Sequence, residues 1–291
     1  MRFRYLLLLL IELLLTTTKI YSHDQDFYIF LCFGQSNMEG FPGIEPQDTV
    51  NVDDRFQVIA AVDFPKLDRR KGQWYTAISP LCRPYTGLCP ADYFGRTMVA
   101  SLPKDIKVGV VNVSVAGCKI ELFDKDKYQS YDSTAPPWMK NMIKQYDGDP
   151  YQYLVDMAKL AQKDGVIKGI LLHQGESNPN DSTWTTKVKN IYDNLVKDLN
   201  LAPETVPLLA GEVVNADQHG ACAPMNKIIG ELPKAIPNSH VISSAGCPAR
   251  PDHLHFSAEG YRELGKRYAE KMLSLLGYKV AKPESPQTPM K

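Results

Sequence analysis

The sequence predicts a three-layer α/β/α sandwich built on a central, mainly parallel five-stranded sheet. Five short apolar runs, rich in Val, Ile and Leu, are separated by segments with helical periodicity. The apolar runs do not alternate with polar residues, which is typical of parallel strands covered by helices on both faces. Strands and helices that alternate in this way favour a layered α/β domain.

The predicted elements follow one another along the chain. The strands cover residues 27–33, 107–115, 167–174, 206–214 and 240–245. The helices cover about residues 92–102, 150–164, 183–199, 225–236 and 257–276. Ser257 is a good N-cap for the last helix, and apolar residues follow it at helical spacing.

One segment between the second strand and the second helix, residues 116–149, shows no clear element. A loop of this length in a compact domain is usually functional. It contains Trp138 and three tyrosines, which are suited to a sugar-binding wall. The alternative is a surface excursion with a small core of its own.

The first 22 residues resemble a secretory signal peptide. Arg2 and Arg4 precede the apolar run from Leu6 to Leu15, which is too short to cross a bilayer. Cleavage near Ser22 predicts a secreted or periplasmic protein that does not associate with a membrane after the signal is removed. Residues 23–277 are then expected to form one domain, and the Pro-rich residues 278–291 a disordered tail.

The composition gives no basis for nucleic-acid or metal binding. The 33 basic and 33 acidic residues cancel, and no basic stripe is visible. No CxxC or HExxH spacing occurs, so we predict neither a metal nor a cofactor. In an exported protein, Cys82 could pair with Cys89 and Cys222 with Cys247. The oligomeric state is not indicated.

Four polar motifs follow predicted strands, and each contains residue types that can do chemistry. They are GQSNM, SVAGCK, HQGESN and PDHLHFSAEG. Ligands of parallel α/β sheets bind outside the carboxyl ends of the strands. We therefore expect the four motifs to share one site.

The last of these motifs places Asp252 three residues before His255. In a turn, this spacing lets the carboxylate hold the imidazole N–H and fix the tautomer of the ring. His255 is then expected to take the hydroxyl proton of Ser36 and to return it to a leaving alcohol. His253 is the alternative base, but adjacent side chains such as those of Asp252 and His253 usually point apart.

Acyl transfer also needs hydrogen-bond donors for a developing oxyanion. The candidates are the backbone N–H groups of Ser36 and Gly117 and the side-chain amide of Gln174. Glycine at position 117 lets the backbone approach a bound carbonyl closely. The chain lacks the Gly-x-Ser-x-Gly elbow of α/β-hydrolases, so a different turn must present Ser36.

Together the four motifs resemble the SGNH (GDSL-like) hydrolase superfamily. The similarity is greatest to its sialate O-acetylesterase-type branch, which includes carbohydrate esterase family 6, the acetyl xylan esterases. It spans about residues 28–276 and implies an SGNH/flavodoxin-like fold. The residues that match the family blocks are the nucleophile Ser36, the oxyanion donors Gly117 and Gln174, the pair Asp252 and His255, and the supporting residues Gln35, Asn37 and Glu176.

The resemblance implies a metal-free serine esterase that removes O-acetyl groups from carbohydrate through an acyl-enzyme. A cell-wall polysaccharide such as acetylated xylan is the expected substrate. A sialic acid O-acetylesterase is the close alternative, and Lys119 or Arg250 would then bind the carboxylate of the sugar. A non-catalytic carbohydrate-binding protein is the alternative from another class, and the intact set of site residues argues against it.

Overall fold

The computed structural model describes residues 23–281, and it confirms the predicted α/β/α class. Its strands are β1 (Phe27–Gly34), β2 (Phe56–Ile59), β3 (Trp74–Thr76), β4 (Lys107–Ser114), β5 (Val166–His173), β6 (Leu208–Gly211) and β7 (Ser239–Ile242). They form one sheet in the order β3-β2-β4-β1-β5-β6-β7. The sheet is parallel except where β3 runs antiparallel to β2.

The sheet has seven strands rather than the predicted five. The two additional strands, β2 and β3, lie at one edge beyond β4 and are four and three residues long. Their sequences, FQVI and WYT, mix polar and apolar residues. Runs this short lack the continuous apolar signal by which a buried parallel strand is recognised.

The helices are α1 (Ser36–Glu39), α2 (Pro46–Thr49), α3 (Pro90–Ser101), α4 (Tyr128–Thr134), α5 (Pro137–Lys144), α6 (Pro150–Ala161), α7 (Trp184–Asp198), α8 (Met225–Ile229), α9 (Leu232–Ala235) and α10 (Ala258–Leu275). The structure contains helices in all five predicted regions, one of them divided, and adds the short helices α1, α2, α4 and α5, which were not predicted. The helix predicted over residues 225–236 is divided into α8 and α9, because Pro233 cannot donate the backbone hydrogen bond of a continuous helix. The segment predicted to be without elements contains α4, α5 and a 3₁₀ turn, Ile120–Phe123.

Each face of the sheet has its own hydrophobic core. Phe30 and Cys32 of β1 belong to the core beneath α3 and α10. The alternate residues Ile29, Leu31 and Phe33 belong to the core beneath α6, α7 and α8. This division follows from the alternation of side chains along a strand, and it makes β1 the centre of the molecule.

Helix α10 is fixed at its start and along its length. The Ser257 side chain accepts a hydrogen bond from the Gly260 backbone N–H at 3.2 Å, as expected of an N-cap. A Cβ at Gly265 would lie 2.4 Å from the Pro90 carbonyl oxygen, so α10 and α3 touch backbone to backbone. The loop that precedes α10 is therefore held against a rigid element.

At the two ends of the chain, the predicted signal segment and residues 282–291 of the predicted tail lie outside the described residues. Tyr278, placed in that tail by the prediction, donates its backbone N–H to a carbonyl of α10 at 2.8 Å and packs on the core. Within residues 23–281, no helix is both long enough and apolar enough to cross a membrane.

The six cysteines are free thiols, so the suggested pairs Cys82–Cys89 and Cys222–Cys247 do not form. Their thiols lie against other groups. Cys82 contacts the Tyr146 hydroxyl at 3.3 Å, and Cys222 contacts a backbone carbonyl at 3.6 Å.

Candidate active site

Ser36 is the first residue of α1 and follows β1 after a turn that requires glycine. Gly34 has φ +148°, and a Cβ there would lie 2.1 Å from the His173 carbonyl oxygen of β5. The same oxygen accepts the Gln35 backbone N–H at 3.1 Å. A side chain at position 34 would therefore separate the two strands. Through this turn, rather than a hydrolase elbow, β1 delivers Ser36 to the end of the sheet.

The structure brings Ser36, His255 and Asp252 into one hydrogen-bonded line. His255 Nε2 lies 2.9 Å from Ser36 Oγ, and His255 Nδ1 lies 3.0 Å from Asp252 Oδ2. Asp252 Oδ1 accepts the backbone N–H groups of Leu254 and His255, each at 3.0 Å. The carboxylate thus orients both the loop and the ring, and the free Nε2 faces the hydroxyl.

The ionisation of Asp252 suits this role. Burial raises its pKa, but the hydrogen bonds from the backbone and ring of His255 outweigh burial and lower the pKa to about 2. The group is therefore an anion across the neutral range, where it stabilises a protonated ring. Because the folded pKa is depressed, its contribution to stability is present above the ordinary aspartate pKa and is lost as the pH falls towards 2.

His253, the alternative base, does not face the site. It is exposed, has φ +55°, and its Nδ1 lies 3.2 Å from the Gln218 carbonyl oxygen. Its ring packs edge to face with that of His219. The left-handed backbone at residue 253 turns successive side chains in different directions, which leaves His255 as the ring near Ser36.

Two of the predicted oxyanion donors are available to a ligand because they donate no hydrogen bond within the described residues. The backbone N–H groups of Ser36 and Gly117 have no hydrogen-bond acceptor among residues 23–281. Gly117 has φ +69°, and a Cβ there would lie 2.8 Å from the ring of Trp138. The left-handed backbone at position 117 therefore favours glycine, and a side chain there would also displace the exposed indole of Trp138.

The third predicted donor, Gln174, is engaged elsewhere. Its Nε2 donates to Gln35 Oε1 at 3.1 Å and to Asn178 Oδ1 at 2.7 Å, and it lies 3.3 Å from the Cys118 carbonyl oxygen. A side-chain amide has only two hydrogens to donate. The structure therefore places Gln174 as a support for Gln35 rather than as the predicted direct donor.

The predicted supporting residues Asn37 and Glu176 form a buried network. Asn37 Nδ2 donates to Glu176 Oε1 and to the Leu254 carbonyl oxygen, the latter at 3.1 Å. The Tyr261 hydroxyl donates to Asn37 Oδ1. Burial raises the pKa of Glu176, but the His173 ring and the Asn37 amide outweigh it and lower the pKa. Asn37 thus connects the turn that presents Ser36 to the loop that carries His255.

Sequence reasoning missed a buried ion pair that supports the turn containing Ala116 and Gly117. Glu39, at the end of α1, accepts hydrogen bonds from the Ala116 backbone N–H and from the Arg83 guanidinium. The side chains of Glu39 and Arg83 are only 9% and 6% exposed. Arg83 lies 44 residues from Glu39 in the sequence, and no local pattern connects the two.

Phe41 was also missed, and it covers the imidazole of His255. The two rings are stacked, with centroids 3.7 Å apart and planes 11° from parallel. The Arg250 guanidinium lies over the Phe41 ring, 5.3 Å from the centroid of that ring. Phe41 is nevertheless 47% exposed, so one part of its ring is open to a ligand. An aromatic residue just after a GQSNMEG motif was the available signal.

Among the described residues, no group of three or more His, Cys, Asp or Glu side chains is arranged to hold a metal ion. The chemistry that the site offers is proton transfer between Ser36 and His255, next to two unpaired backbone N–H groups.

Comparison with known proteins confirms the resemblance found in the sequence. A family model described as carbohydrate esterase, sialic acid-specific acetylesterase, matches residues 26–274. A protein of Arabidopsis thaliana is 21% identical with a TM-score of 0.64, and the alignment covers 85% of this chain and 98% of the other. A carbohydrate acetylesterase from Xanthomonas citri is 16% identical with a TM-score of 0.60, covering 85% and 56%. NanS is 16% identical with a TM-score of 0.60, covering 87% and 99%.

The Glu39–Arg83 pair generates a stability prediction. Glu39→Gln leaves the Arg83 guanidinium buried without a counter-charge, which typically costs about 3–5 kcal/mol. We expect the free energy of unfolding, measured by denaturant titration, to fall by an amount in this range.

The matched control is Asp147→Asn, which removes the charge of an exposed pair between Asp147 and Lys71 at 3.4 Å. Exposed pairs contribute less than about 1 kcal/mol, so this variant should stay close to the wild type. Equal losses in the two variants would show that the Glu39–Arg83 pair has no special structural role.

Proposed function

The chain belongs to the family of carbohydrate esterases described as sialic acid-specific acetylesterases, and we propose that it is an exported serine esterase that deacetylates polysaccharide such as acetylated xylan. Membership makes it a carboxylic ester hydrolase whose substrate is an acetylated carbohydrate. The observation that carries the proposed mechanism is the line from Asp252 through His255 to Ser36. Export rests on the signal-like residues 1–22.

The proposed reaction proceeds in two stages. His255 Nε2 takes the proton of Ser36 Oγ as this oxygen attacks the acetyl carbonyl, and the carbonyl oxygen becomes an oxyanion. The intermediate collapses, the bond to the sugar oxygen breaks, and His255 returns the proton to that oxygen. Water then attacks the acetyl-Ser36 ester with the same base, which releases acetate and restores the hydroxyl.

Two exposed aromatic side chains beside the site support a sugar substrate. Trp138 is 53% exposed and its ring lies next to Gly117, while Phe41 is 47% exposed and lies on His255. Aromatic walls with few polar groups are typical of small-ligand sites. Of the three tyrosines suggested for this wall, Tyr146 is fully buried, and Tyr128 and Tyr131 are half-buried, so Trp138 is the most exposed aromatic residue of this segment.

Arg250 favours the sialic acid ester as the second candidate. Its guanidinium lies over Phe41, its side chain is 41% exposed, and its nearest carboxylate, that of Asp252, is 4.0 Å away. A planar guanidinium with unused donors suits a sugar carboxylate. Lys119, the other cation suggested for this role, is also exposed near Gly117. Its backbone N–H donates to the Tyr131 hydroxyl.

A substrate panel tests the proposed function. Wild type and Ser36→Ala should be assayed for acetate release from acetylated xylan, O-acetyl sialic acid and p-nitrophenyl acetate. We expect Ser36-dependent release from xylan, since removal of the nucleophile leaves no group to form the acyl-enzyme.

Preference for O-acetyl sialic acid would select the second candidate. Binding of polysaccharide without any hydrolysis would instead identify a non-catalytic binding protein and contradict the proposal.

The Asp252–His255 contact generates a kinetic prediction. Asp252→Asn removes the charge that orients and stabilises the protonated ring, and we expect kcat to fall by about 10³–10⁴-fold. The measurement is initial-rate kinetics on p-nitrophenyl acetate above pH 5, where the wild-type carboxylate is ionised. His253→Ala is the control and should retain kcat, because its ring faces Gln218. Similar losses in both variants would mean that the base is wrongly assigned.

The exposed aromatic side chains beside the site, Trp138 and Phe41, lead to a prediction about substrate binding. Trp138→Ala removes apolar area worth about 1.5–3 kcal/mol when buried by a sugar. We expect the KM for acetylated polysaccharide to rise about ten- to hundredfold relative to the KM for p-nitrophenyl acetate. Leu275→Ala, at the far end of α10 and 38% exposed, is the control. An equal change of KM for both substrates would rule out a sugar contact at Trp138.

A further inference from the structure

A second concave surface lies at the same edge of the sheet as Ser36. The loop after β2 and the loop of residues 80–86 form a cavity of about 230 Å³, the Tyr85 pocket, whose walls include Phe64, Leu67 and Tyr85. Strands β1, β4 and β2 are parallel neighbours, so the loops that follow them leave the sheet at one edge. Two strand spacings, about 10 Å in all, separate β1 from β2.

Backbone contacts join the Tyr85 pocket to the loop that contains Phe41. Gly87, which follows the pocket residues, donates its N–H to the Gly40 carbonyl oxygen at 2.8 Å. Leu88 donates its N–H to the Pro42 carbonyl oxygen at 3.1 Å. A Cβ at Gly87 would lie 1.8 Å from that oxygen of Pro42. The two loops therefore touch backbone to backbone on both sides of Phe41.

Arg83 joins the same pocket to the helix that carries Trp138. Its guanidinium donates to Met142 Sδ at 2.9 Å, and it lies two residues before Tyr85. Met142 and Trp138 are four residues apart on α5, so they are neighbours on one face of that helix. The pocket thus continues the surface on which Trp138 lies beside Gly117.

The walls of the Tyr85 pocket are held in place by hydrogen bonds beneath them. Phe64 donates its backbone N–H to the Arg69 carbonyl oxygen at 2.8 Å and accepts the Arg69 N–H at 3.2 Å. The buried Arg69 guanidinium donates to the Pro80 carbonyl oxygen at 3.0 Å. Thr86 donates its hydroxyl to the Arg83 carbonyl oxygen at 2.8 Å. The pocket is therefore largely preformed, as sites for small ligands usually are.

Tyr85 forms the exposed wall of the pocket in an unfavourable conformation. The residue is 87% exposed, so packing of its ring contributes little to the fold. Its φ is +70°, in the left-handed region that disfavours a bulky side chain and that glycine adopts freely. Strained residues of this kind are concentrated at sites that bind ligands. The position of the ring therefore indicates a binding role rather than a structural one.

The groups around the Tyr85 ring suit a sugar. Lys66 Nζ lies 5.2 Å from the centroid of the ring. Within residues 23–281, neither the Lys66 ammonium nor the Tyr85 hydroxyl makes a hydrogen bond or an ion pair. A sugar ring offers an apolar face to the aromatic plane and hydroxyls to these two groups, whereas a purely apolar ligand would leave them unpaired. The cavity is smaller than the ~300–1,000 Å³ of sites for drug-sized ligands, as expected for one sugar unit.

Resting on the proposed function, we propose that the Tyr85 pocket is an accessory sugar subsite that binds a distal unit of the polysaccharide whose acetyl group lies at Ser36. The Tyr85 ring stacks on this unit, and the intervening units of the chain cross the surface beside Trp138 and Phe41. The substrate is then an extended glycan rather than a single acetylated sugar. The subsite contributes to binding of the chain and takes no part in the acyl transfer.

The test compares acetylated xylo-oligosaccharides of increasing length. In the wild type, we expect KM to fall with chain length until the chain reaches the Tyr85 pocket and to stay constant beyond that length. Tyr85→Ala should lose the last part of this fall, so that its KM for long chains and for acetylated xylan is about tenfold higher, with kcat unchanged. Its KM for p-nitrophenyl acetate and for short oligosaccharides, which do not reach the pocket, is the reference.

Two further variants separate binding from a structural role. Tyr85→Phe keeps the aromatic face and should match the wild type on every substrate. Tyr85→Gly removes both the ring and the cost of the left-handed backbone, so it should unfold at or above the wild-type temperature while its KM for long chains rises as in Tyr85→Ala. A ring that supported only the fold would lower the unfolding temperature in both Tyr85→Ala and Tyr85→Gly.

Binding without turnover distinguishes this inference from the proposed function. Calorimetric titration with acetylated xylan should give an affinity about tenfold weaker for the double variant Ser36→Ala/Tyr85→Ala than for Ser36→Ala. The comparison needs no hydrolysis, so it supports or overturns the subsite even where the wild type lacks Ser36-dependent activity, a result that overturns the proposed function alone.

The inference is overturned if Tyr85→Ala keeps the wild-type dependence of KM on chain length, or if the single and double variants bind xylan equally. An equal rise of KM for p-nitrophenyl acetate also overturns it, because the substitution would then act on the active site as a whole. If Ser36→Ala binds no xylan, the subsite does not exist for this polymer and the inference fails.

Discussion

The hydrogen bond between Ser36 Oγ and His255 Nε2 joins residues that are 219 positions apart in the chain. It can form only if the end of the central strand and the loop before the last helix reach the same point. The sheet order supplies the first condition, because β1 lies at the centre and its carboxyl end is flanked by β4 and β5. The packing of α10 on α3 supplies the second condition, because it fixes the end of the loop of residues 252–255, the DHLH loop.

Bringing the two segments together is not sufficient, since a hydroxyl and a ring must also be held at hydrogen-bond distance. Asn37 joins α1 to the Leu254 carbonyl oxygen of the DHLH loop, and Glu39 joins α1 to the Ala116 backbone of the turn that contains Gly117. The four-residue helix α1 therefore connects Ser36 with the loop that carries His255 and the turn that contains Gly117. The Asn37 and Glu39 side chains that make these hydrogen bonds are buried and polar, so each is stable only when its partners are present.

The sequence predicted what depends on local spacing. An Asp three residues before a His, and polar motifs at the ends of apolar runs, identify Asp252, His255 and Ser36 without knowledge of neighbours. It did not predict what depends on contacts between distant segments, such as the Glu39–Arg83 pair or the stacking of Phe41 on His255. The assignment of Gln174 shows the difference most clearly. A motif indicates that an amide is present, but only Trp184, Asn178 and Gln35 determine where its hydrogens point. The short edge strands β2 and β3 were not predicted, because three or four residues are too few to show a periodic pattern of apolar residues.

The site divides into a buried part and an exposed part, and the division bears on how substrates are selected. Ser36 is 6% exposed and Gln35 2%, and both are held by hydrogen bonds or by the turn that precedes them. Trp138, Phe41 and Arg250 form a rim that is roughly half exposed and makes few polar contacts. The two parts are not fully separate, because Phe41 stacks on His255 and Arg250 lies 4.0 Å from the Asp252 carboxylate. On the proposed function, Trp138 is therefore the rim residue whose substitution we expect to change sugar binding with least effect on the groups that carry the proton.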